Sequence, residues 1–181
     1  MTGSFRGAGG RKMPWLLMSP IVDWLAMAPT MVRYEARGWG VGELWFDGPR
    51  LLWAMHPRGG IEPEGEHPLA ERFAAYFAGE PDSFEDVELD LEEETDFGRR
   101  LAETLRGVPR GEVVSYGELA ELAGRRRAAR AAGSFCARNR FAIVIPCHRV
   151  VGADGLGSFG DLGLDYKRRL LALEGYELPQ P

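Results

Sequence analysis

Cysteine and histidine are scarce in this chain of 181 residues. Cys136 and Cys147 are its only cysteines, and three histidines accompany them. Two cysteines are too few for a disulfide framework, and such a composition suits a reducing cytoplasm. No pair of these side chains has the spacing of a metal site. We therefore expect a cytoplasmic protein without structural zinc.

Long apolar runs are also lacking. Residues 1–30 place basic side chains ahead of an apolar patch, as a signal peptide does, but Pro20 and Asp23 interrupt that patch. A membrane-spanning helix needs about 20 consecutive apolar residues, so we expect neither secretion nor a membrane span. We predict that residues 1–30 are an extension of unknown role, with Met31 as an alternative start.

Positive charge is in short supply overall. The net charge is −5, which by itself argues against nucleic-acid binding. However, the first 94 residues carry 8 basic and 17 acidic side chains, whereas the remainder carries 14 basic and 10 acidic. Nine acidic residues from Asp82 to Asp96 predict a solvated connector. We therefore predict two domains, at 31–92 with the connector included and at 93–181.

The first domain shows signals for a hairpin and a helix. Two β-rich runs flank Asp47 and Gly48, a strong turn signal, and predict a hairpin over 40–55. A helical pattern opens at Pro68 and ends at Gly79. No catalytic cluster is apparent. Three tryptophans are expected to pack in the core rather than to bind a ligand: Trp39, Trp45 and Trp53.

The second domain shows a helix-turn-helix pattern. A first helix is predicted to end at Gly107. Ser115 and Glu118 then have the spacing of a capping box, which starts a short helix that Gly124 ends. A basic turn leads into an alanine-rich helix over 128–138. Two short helices joined by a tight turn are typical of DNA-binding domains, although helical hairpins that never touch DNA share the pattern.

Arg130 stands out in the alanine-rich helix, because four alanines flank it. A face without bulky side chains lets the backbone approach another surface closely and leaves one arginine projecting into it. The alternative is a helix of high intrinsic propensity with a solvated arginine. Both interpretations stay open from the residues alone.

A thiol and an imidazole follow a β-branched run in IVIPCHRVV, residues 143–151. Proline biases the residue before it toward an extended conformation, so the run predicts a strand that ends just before Cys147. Cysteine is also a frequent core residue and histidine is often structural. The stretch therefore fits either a reactive Cys147 and His148 or a purely structural pair.

The second domain resembles the O6-alkylguanine-DNA alkyltransferases. Five pieces occur in the order of that family and close to its spacing. They are VVSYGELAELAG (113–124), AARAAG (128–133), Asn139, IPCHRVVG (145–152) and KRRLLALEG (167–175). The resemblance is specific from about Thr95 to Gly175, looser over the predicted hairpin and helix of the first domain, and absent over residues 1–30.

The resemblance implies a set of catalytic roles. Cys147 is the alkyl acceptor, and His148 is the base that takes the thiol proton through a water molecule. Glu174 orients and charges the histidine, and Asn139 supports the turn by hydrogen bonds. The reaction that it implies is irreversible, proceeds once per molecule and needs no metal or organic cofactor.

The resemblance also implies how DNA is held. Tyr116 promotes rotation of the target nucleotide, and Arg130 fills the vacated space in the base stack. Further contacts with DNA are expected from four neighbours: Ser115, Arg127, Ala128 and Ala129. The substrate pocket is expected to include Val150, Ser158 and Phe159.

The implied fold class is α+β. A small ribonuclease H-like α/β domain precedes a mainly helical, winged-helix-like domain that binds DNA and carries the chemistry. The expected partner is double-stranded DNA that carries O6-alkylguanine, with O4-alkylthymine as a second lesion, and the protein is expected to be a monomer.

Two departures from the family and three alternatives remain. Asp161 intrudes into the loop after the cysteine, and Arg140 replaces a proline that often follows the asparagine, so the range of alkyl groups is open. The alternatives are a module that binds alkylated bases without repair, a helix-turn-helix regulator that senses through cysteine, and a Cys-His hydrolase. The presence of Cys147 argues against the first, and no effector region or oxyanion-hole signature supports the others.

Overall fold

The computed structural model describes residues 29–59 and 62–177, so residues 1–28 of the predicted extension lie outside the described residues. The chain opens with an antiparallel meander of three strands, β1 (Thr30–Ala36), β2 (Gly40–Asp47) and β3 (Arg50–Ala54), paired in that order. Gly48 takes a positive φ of 56° at the turn between the last two strands, which confirms the predicted hairpin. Strand β1 extends this sheet beyond the prediction.

The helix α1 (Pro68–Phe77) packs against β1. The Nδ1 atom of His67 accepts a hydrogen bond of 3.1 Å from the backbone N–H of Leu69 and caps the helix, and Gly79 follows its end with a φ of 106°. The predicted bounds are confirmed. The apolar face of α1 is buried and consists of Leu69, Ala70, Phe73, Tyr76 and Phe77.

The acidic segment between α1 and the next helix lies on the sheet. Phe84 is only 1% exposed. The backbone of Leu51 in β3 donates to Glu88 (2.8 Å) and accepts from Asp90 (3.0 Å). The prediction of a solvated connector is therefore wrong for the backbone and the apolar side chains, because acidic residues alternate here with apolar residues that need burial.

The second half of the chain is mainly helical. It comprises α2 (Asp96–Arg106), β4 (Val114–Ser115), α3 (Tyr116–Leu122), α4 (Ala129–Ala137), β5 (Val150–Val151) and α5 (Gly163–Leu173). The capping box of Ser115 and Glu118 is present. Gly107 caps α2, and Gly124 follows α3 with a φ of 85°. These features confirm the predicted helices.

The predicted strand before Cys147 is wrong. Residues 142–144 form turns, and Cys147–Arg149 form a single 3-10 turn. Ile143 has a left-handed φ of 68°, which no strand allows. Ile143 and Ile145 are nevertheless 3% and 1% exposed. The apolar run signals burial, and a compact turn can be buried as fully as a strand when its backbone groups find partners.

Two short backbone connections fix this turn in the molecule. The parallel pair β4–β5 joins the start of α3 to the residues after Cys147. Ala54 at the end of β3 donates to the carbonyl of Arg140 (2.8 Å) and accepts from Ala142 (3.1 Å). Buried side chains from both halves form one continuous cluster, and the domain boundary near residue 93 stays a prediction.

The molecule is thus a mixed α/β protein with a small antiparallel sheet and five α-helices in the described part of the chain. None of those helices has the length and apolar character needed to cross a membrane. The three tryptophans predicted to pack in the core, Trp39, Trp45 and Trp53, are half-buried rather than fully buried. Trp39 packs against the buried cluster, as predicted.

Candidate active site

Cys147 begins the 3-10 turn directly after Pro146. The side chain of Asn139 spans this turn, because its Nδ2 donates to the carbonyl of Ile145 (2.7 Å) and its Oδ1 accepts from the backbone N–H of Phe141 (3.0 Å). An amide is suited to this task, since it offers a donor and an acceptor at fixed separation. The thiol is therefore held on a rigid support.

A cavity of about 390 Å³ opens over Cys147. Tyr116 and Cys136 line it, together with Ser158 and Phe159 from the loop after β5. A Cβ atom on Gly157 would come within 3.3 Å of the Tyr116 ring, so this loop passes close to the tyrosine. The cavity has the size and the mixed lining of a small-molecule pocket.

The predicted pocket residue Val150 is not among the lining residues. It is fully buried in β5, and its carbonyl accepts a hydrogen bond of 2.5 Å from Nζ of the buried Lys167. The same Nζ donates to the carbonyl of Leu156, also at 2.5 Å. Through Lys167, Val150 is instead tied to Leu156 of the loop that follows β5.

Four side chains form a buried polar cluster behind the cysteine. Nε2 of His148 lies 3.0 Å from Oε1 of Glu174. Arg149 grips the same carboxylate with two hydrogen bonds, Nε to Oε2 at 2.9 Å and Nη2 to Oε1 at 2.7 Å. The hydroxyl of Tyr76, from α1, also donates to Oε1. Three donors thus converge on one carboxylate oxygen.

The cluster fixes which nitrogen of His148 carries the proton. Burial alone would raise the pKa of Glu174, but hydrogen bonds from His148 and Arg149 outweigh it and hold the pKa well below its ordinary value. The carboxylate is therefore ionised and can only accept. Nε2 must donate to it, and Nδ1 keeps the lone pair. Nδ1 is buried and has no protein partner among the described residues, so it is the available base.

Neither the thiol nor the imidazole is charged at rest near neutral pH. Burial raises the pKa of Cys147. Burial also lowers the pKa of His148 below its ordinary value, although Glu174 acts in the opposite direction. Glu174 does favour the charged imidazole, but in the resting protein burial and the positive charges of Arg149 and Lys167 outweigh it. Glu174 orients a neutral imidazole.

The turn between α3 and α4 and the first turn of α4 present a basic surface. Arg130 is exposed on α4 and makes no side-chain hydrogen bond within residues 29–59 and 62–177. Arg125 stacks over the ring of Phe97 at 4.8 Å, and Arg127 has a positive φ of 62° just before α4. The hydroxyl of Ser115 is engaged as the helix cap of α3.

The remaining predicted DNA contacts lie at the start of the same helix. Ala128 and Ala129 are half-buried and directly precede Arg130. Because these two side chains are only methyl groups, no bulky side chain beside Arg130 covers the backbone at the start of α4. The structure therefore places Ser115, Tyr116 and the start of α4 within one helix-turn-helix unit.

Sequence reasoning missed several residues of the site. Arg149 had a signal, because it directly follows the Cys-His pair, but its contact with Glu174 depends on the fold. Trp53, at the end of β3, lines the cavity. Arg58 binds Asp161 of the pocket loop at 2.9 Å. No sequence pattern indicated a polar role for Tyr76, because an aromatic residue on the apolar face of a helix is expected to pack in the core.

Arg140, which stands where the family often has a proline, is held in place by the acidic segment. Arg140 donates to the backbone carbonyl of Asp90 at 2.5 Å and stacks over Phe141. Its guanidinium is therefore engaged with the acidic segment. Among the described residues, no group of three or more histidine, cysteine, aspartate or glutamate side chains could hold a metal ion.

Comparisons with known proteins match both the sequence and the fold. Residues 96–176 match the family model described as the DNA-binding domain of 6-O-methylguanine DNA methyltransferase. A methylated-DNA–protein-cysteine methyltransferase of Mycolicibacterium paratuberculosis is 45% identical over 135 residues, which cover 74% of this chain and 76% of the relative. A protein of the same name from Mycobacterium bovis is 48% identical over 110 residues, which cover 60% of this chain and 65% of the relative.

The fold is similar to a crystal structure of the Mycobacterium tuberculosis protein OGT in complex with DNA. The TM-score is 0.66 and the sequence identity 38%, and the match covers 80% of this chain and 91% of that chain. The similarity therefore extends beyond residues 96–176 into the first half of the molecule.

Proposed function

Because the chain belongs to the methylated-DNA–protein-cysteine methyltransferase family, we propose that it repairs DNA by moving the alkyl group of O6-alkylguanine onto its own Cys147. The sulfur forms a bond with the alkyl carbon as the bond from that carbon to guanine O6 breaks. The thiol gives up its proton, and the released guanine takes up one proton and becomes the unmodified base. The product is a thioether, so each molecule acts once. O4-alkylthymine is the second lesion that we expect it to accept.

The observation that carries this proposal is the buried His148–Glu174 pair directly behind a cavity that contains the Cys147 thiol. A thiol is a poor nucleophile until its proton leaves. Nδ1 of His148 is the available base, and we propose that it takes this proton through a water molecule while Nε2 keeps its bond to Glu174. The thiolate then forms at the moment of transfer, since both groups are neutral at rest.

The basic helix-turn-helix surface supports a role in holding DNA. An alkyl group on guanine O6 lies inside the duplex, so the nucleotide must leave the base stack, which costs a few kcal/mol. We propose that Tyr116, at the mouth of the cavity, promotes this rotation and that Arg130 occupies the space left behind. Binding through phosphates should depend strongly on salt and weakly on sequence.

The finer description of fold and assembly is part of the same proposal. We infer a ribonuclease H-like arrangement for the sheet and α1, and a winged-helix-like arrangement for α2, α3, α4 and the β4–β5 pair. The packing of these helices and the small parallel pair, whose strands lie before α3 and after α4, support it. We also propose that the protein acts on double-stranded DNA as a monomer.

The variant Cys147→Ser separates chemistry from binding. We expect it to lose alkyl transfer from DNA that contains O6-methylguanine, because a hydroxyl is a far poorer nucleophile at neutral pH than a thiol. It should keep its affinity for the same duplex, since the helix-turn-helix surface is unchanged. Transfer of a labelled methyl group and an equilibrium binding titration measure the two properties.

Cys136→Ser is the matched control, because Cys136 lines the same cavity and burial raises its pKa to about 12, which makes it a weak nucleophile. This control should still transfer. If Cys147→Ser retains transfer while Cys136→Ser loses it, the acceptor is misassigned. If the unaltered protein binds the lesion without transfer, the chain is a binding module instead.

A further inference from the structure

Tyr76 reaches the active site from the first half of the chain. It lies on α1, is 0% exposed, and donates its hydroxyl proton to Oε1 of Glu174. Its oxygen is also 3.5 Å from Nε2 of His148. A helix outside the helix-turn-helix unit therefore contributes a polar group to the cluster behind the cysteine.

The hydroxyl has a defined orientation in this cluster. Burial and the negative charge of Glu174 raise the pKa of Tyr76 far above its ordinary value, so the phenol keeps its proton. The hydroxyl proton is donated to the Glu174 carboxylate, so the lone pairs of the phenol oxygen are free to face Nε2 of His148. An imidazolium formed during the reaction would be stabilised by both oxygens.

Arg149 cannot replace this contact. Its guanidinium binds both carboxylate oxygens of Glu174 along one edge, whereas Tyr76 binds Oε1 on the side where His148 lies. Without the phenol, the Glu174 carboxylate can shift toward the Arg149 guanidinium. The hydrogen bond between Oε1 and Nε2 of His148 would then become weaker. Oxygen Oε1 is the only carboxylate atom that contacts His148 in the described structure, so its orientation decides how well the base is held.

We propose that Tyr76 is a positioning residue for alkyl transfer, whose hydroxyl holds Oε1 of Glu174 where it accepts the Nε2 proton of His148. This inference rests on the proposed function, because it assigns Tyr76 to the proton path of Cys147. It makes the first half of the chain part of the reaction machinery rather than only a support for the second half.

A purely structural role is the alternative. The ring of Tyr76 packs against Phe77 and Phe84 at centroid distances of 5.5 and 5.9 Å, and the guanidinium of Arg110 lies over it at 5.3 Å. Phenylalanine would keep these ring contacts. Tyr76→Phe therefore removes the hydroxyl alone and distinguishes the two roles.

The test is the pH dependence of the Cys147 reaction in Tyr76→Phe. The charged or titratable groups that act on His148 are Tyr76, Glu174, Arg149, Lys167 and His56. The variant Tyr76→Phe alters Tyr76 alone among these groups. We expect the rate of alkyl transfer from free O6-benzylguanine to fall about tenfold at neutral pH, because one hydrogen bond to a charged group is lost. The midpoint of the pH–rate profile should move upward by about one unit, and high pH should restore the rate.

Tyr34→Phe is the matched control. Tyr34 is also buried, contacts Phe77, and donates its hydroxyl to the carbonyl of Met55 at 3.0 Å, away from His148. It should lower the melting temperature about as much as Tyr76→Phe does and leave the pH midpoint unchanged. In a Glu174→Gln background, Tyr76→Phe should have little further effect, because residues that act through one another are not additive.

Alkylation of Cys147 by iodoacetamide, followed by peptide mapping, gives the same midpoint without any alkyltransferase substrate. An upward shift in Tyr76→Phe alone supports the inference. An unchanged midpoint, or an equal shift in Tyr34→Phe, overturns it. Failure of the unaltered protein to transfer an alkyl group would instead contradict the proposed function, and the iodoacetamide profile would still decide the role of Tyr76.

Discussion

The thiol of Cys147 combines a reactive position with an unreactive resting state. Its burial raises its pKa, which keeps it protonated and protects it from adventitious electrophiles. In the proposed reaction, Nδ1 of His148 removes the proton when a substrate is in place, and the carboxylate of Glu174 holds the imidazole in position. Because each molecule can react only once, forming the thiolate only when a substrate is bound prevents the protein from being inactivated by other electrophiles.

The variants His148→Ala and Glu174→Gln test this arrangement. We expect the first to slow alkyl transfer by about 10²–10⁴-fold, as is typical for loss of a general base, and the second to slow it less. Without the base, the rate follows the thiolate fraction of Cys147. Because burial raises the pKa of this thiol, the rate should recover only above pH ~8.5, the ordinary thiol pKa.

The measurement is the transfer rate from O6-benzylguanine between neutral and alkaline pH. Glu121→Gln is a suitable control, since Glu121 is exposed on α3 and pairs with the exposed Arg126, and it should match the unaltered protein. A His148→Ala rate that stays flat as the pH rises would argue that the histidine supports the fold rather than the chemistry.

The residues of the site differ in how far the sequence could predict them. The roles expected of Cys147, His148 and Glu174 follow from motifs that resemble a known family, whereas the residue types alone left a structural alternative open. Tyr76 does not, because its apolar neighbours on α1 predict burial, and burial hides a polar group as readily as an apolar one. Its contact with Glu174 joins residues 98 positions apart, which no local pattern encodes.

At the scale of elements, the helix α4 carries the sharpest prediction. Arg130 projects from its first turn into solvent. If it fills the gap left by the rotated nucleotide, Arg130→Ala should slow repair of duplex DNA by about 10²-fold, which corresponds to the few kcal/mol that unstacking costs. Transfer from free O6-benzylguanine should be unchanged, because that substrate needs no rotation.

The comparison needs both substrates and binding titrations at two salt concentrations. Arg168→Ala on α5 is a control, since Arg168 is exposed and pairs with Asp165 away from α3 and α4. A phosphate contact would instead weaken DNA binding and lower its salt dependence by about one counterion. Equal slowing on free base and duplex would show that Arg130 only maintains the fold.

The elements also show where sequence reasoning fails. Capping residues specified α1, α2 and α3 because they satisfy backbone groups locally. The residues before Cys147 were predicted to form a strand because β-branched side chains are typical of buried strands, but they form a buried turn. Its backbone groups find partners in Asn139, which is six positions from Ile145, and in Ala54 of β3. Ala54 is distant in sequence, and composition cannot reveal such a partner.

At the scale of the whole molecule, the two halves share one core and one site. The first half supplies Tyr76 to the polar cluster, Trp53 to the cavity and Arg58 to the pocket loop. Charge distribution predicted two domains, with most of the acidic segment in the first and the basic turn before α4 in the second. It could not show that side chains from the first half complete the site.

The central claim is that one alkyl group moves irreversibly to Cys147, and intact mass measures it most directly. After incubation with excess duplex that contains O6-methylguanine, the whole population should gain the mass of a single methyl group, without added metal or organic cofactor. Peptide mapping should place the methyl group on Cys147, and further incubation should repair no more DNA than one lesion per protein molecule. A methyl group on Cys136, an unchanged mass, or repeated turnover would contradict the account.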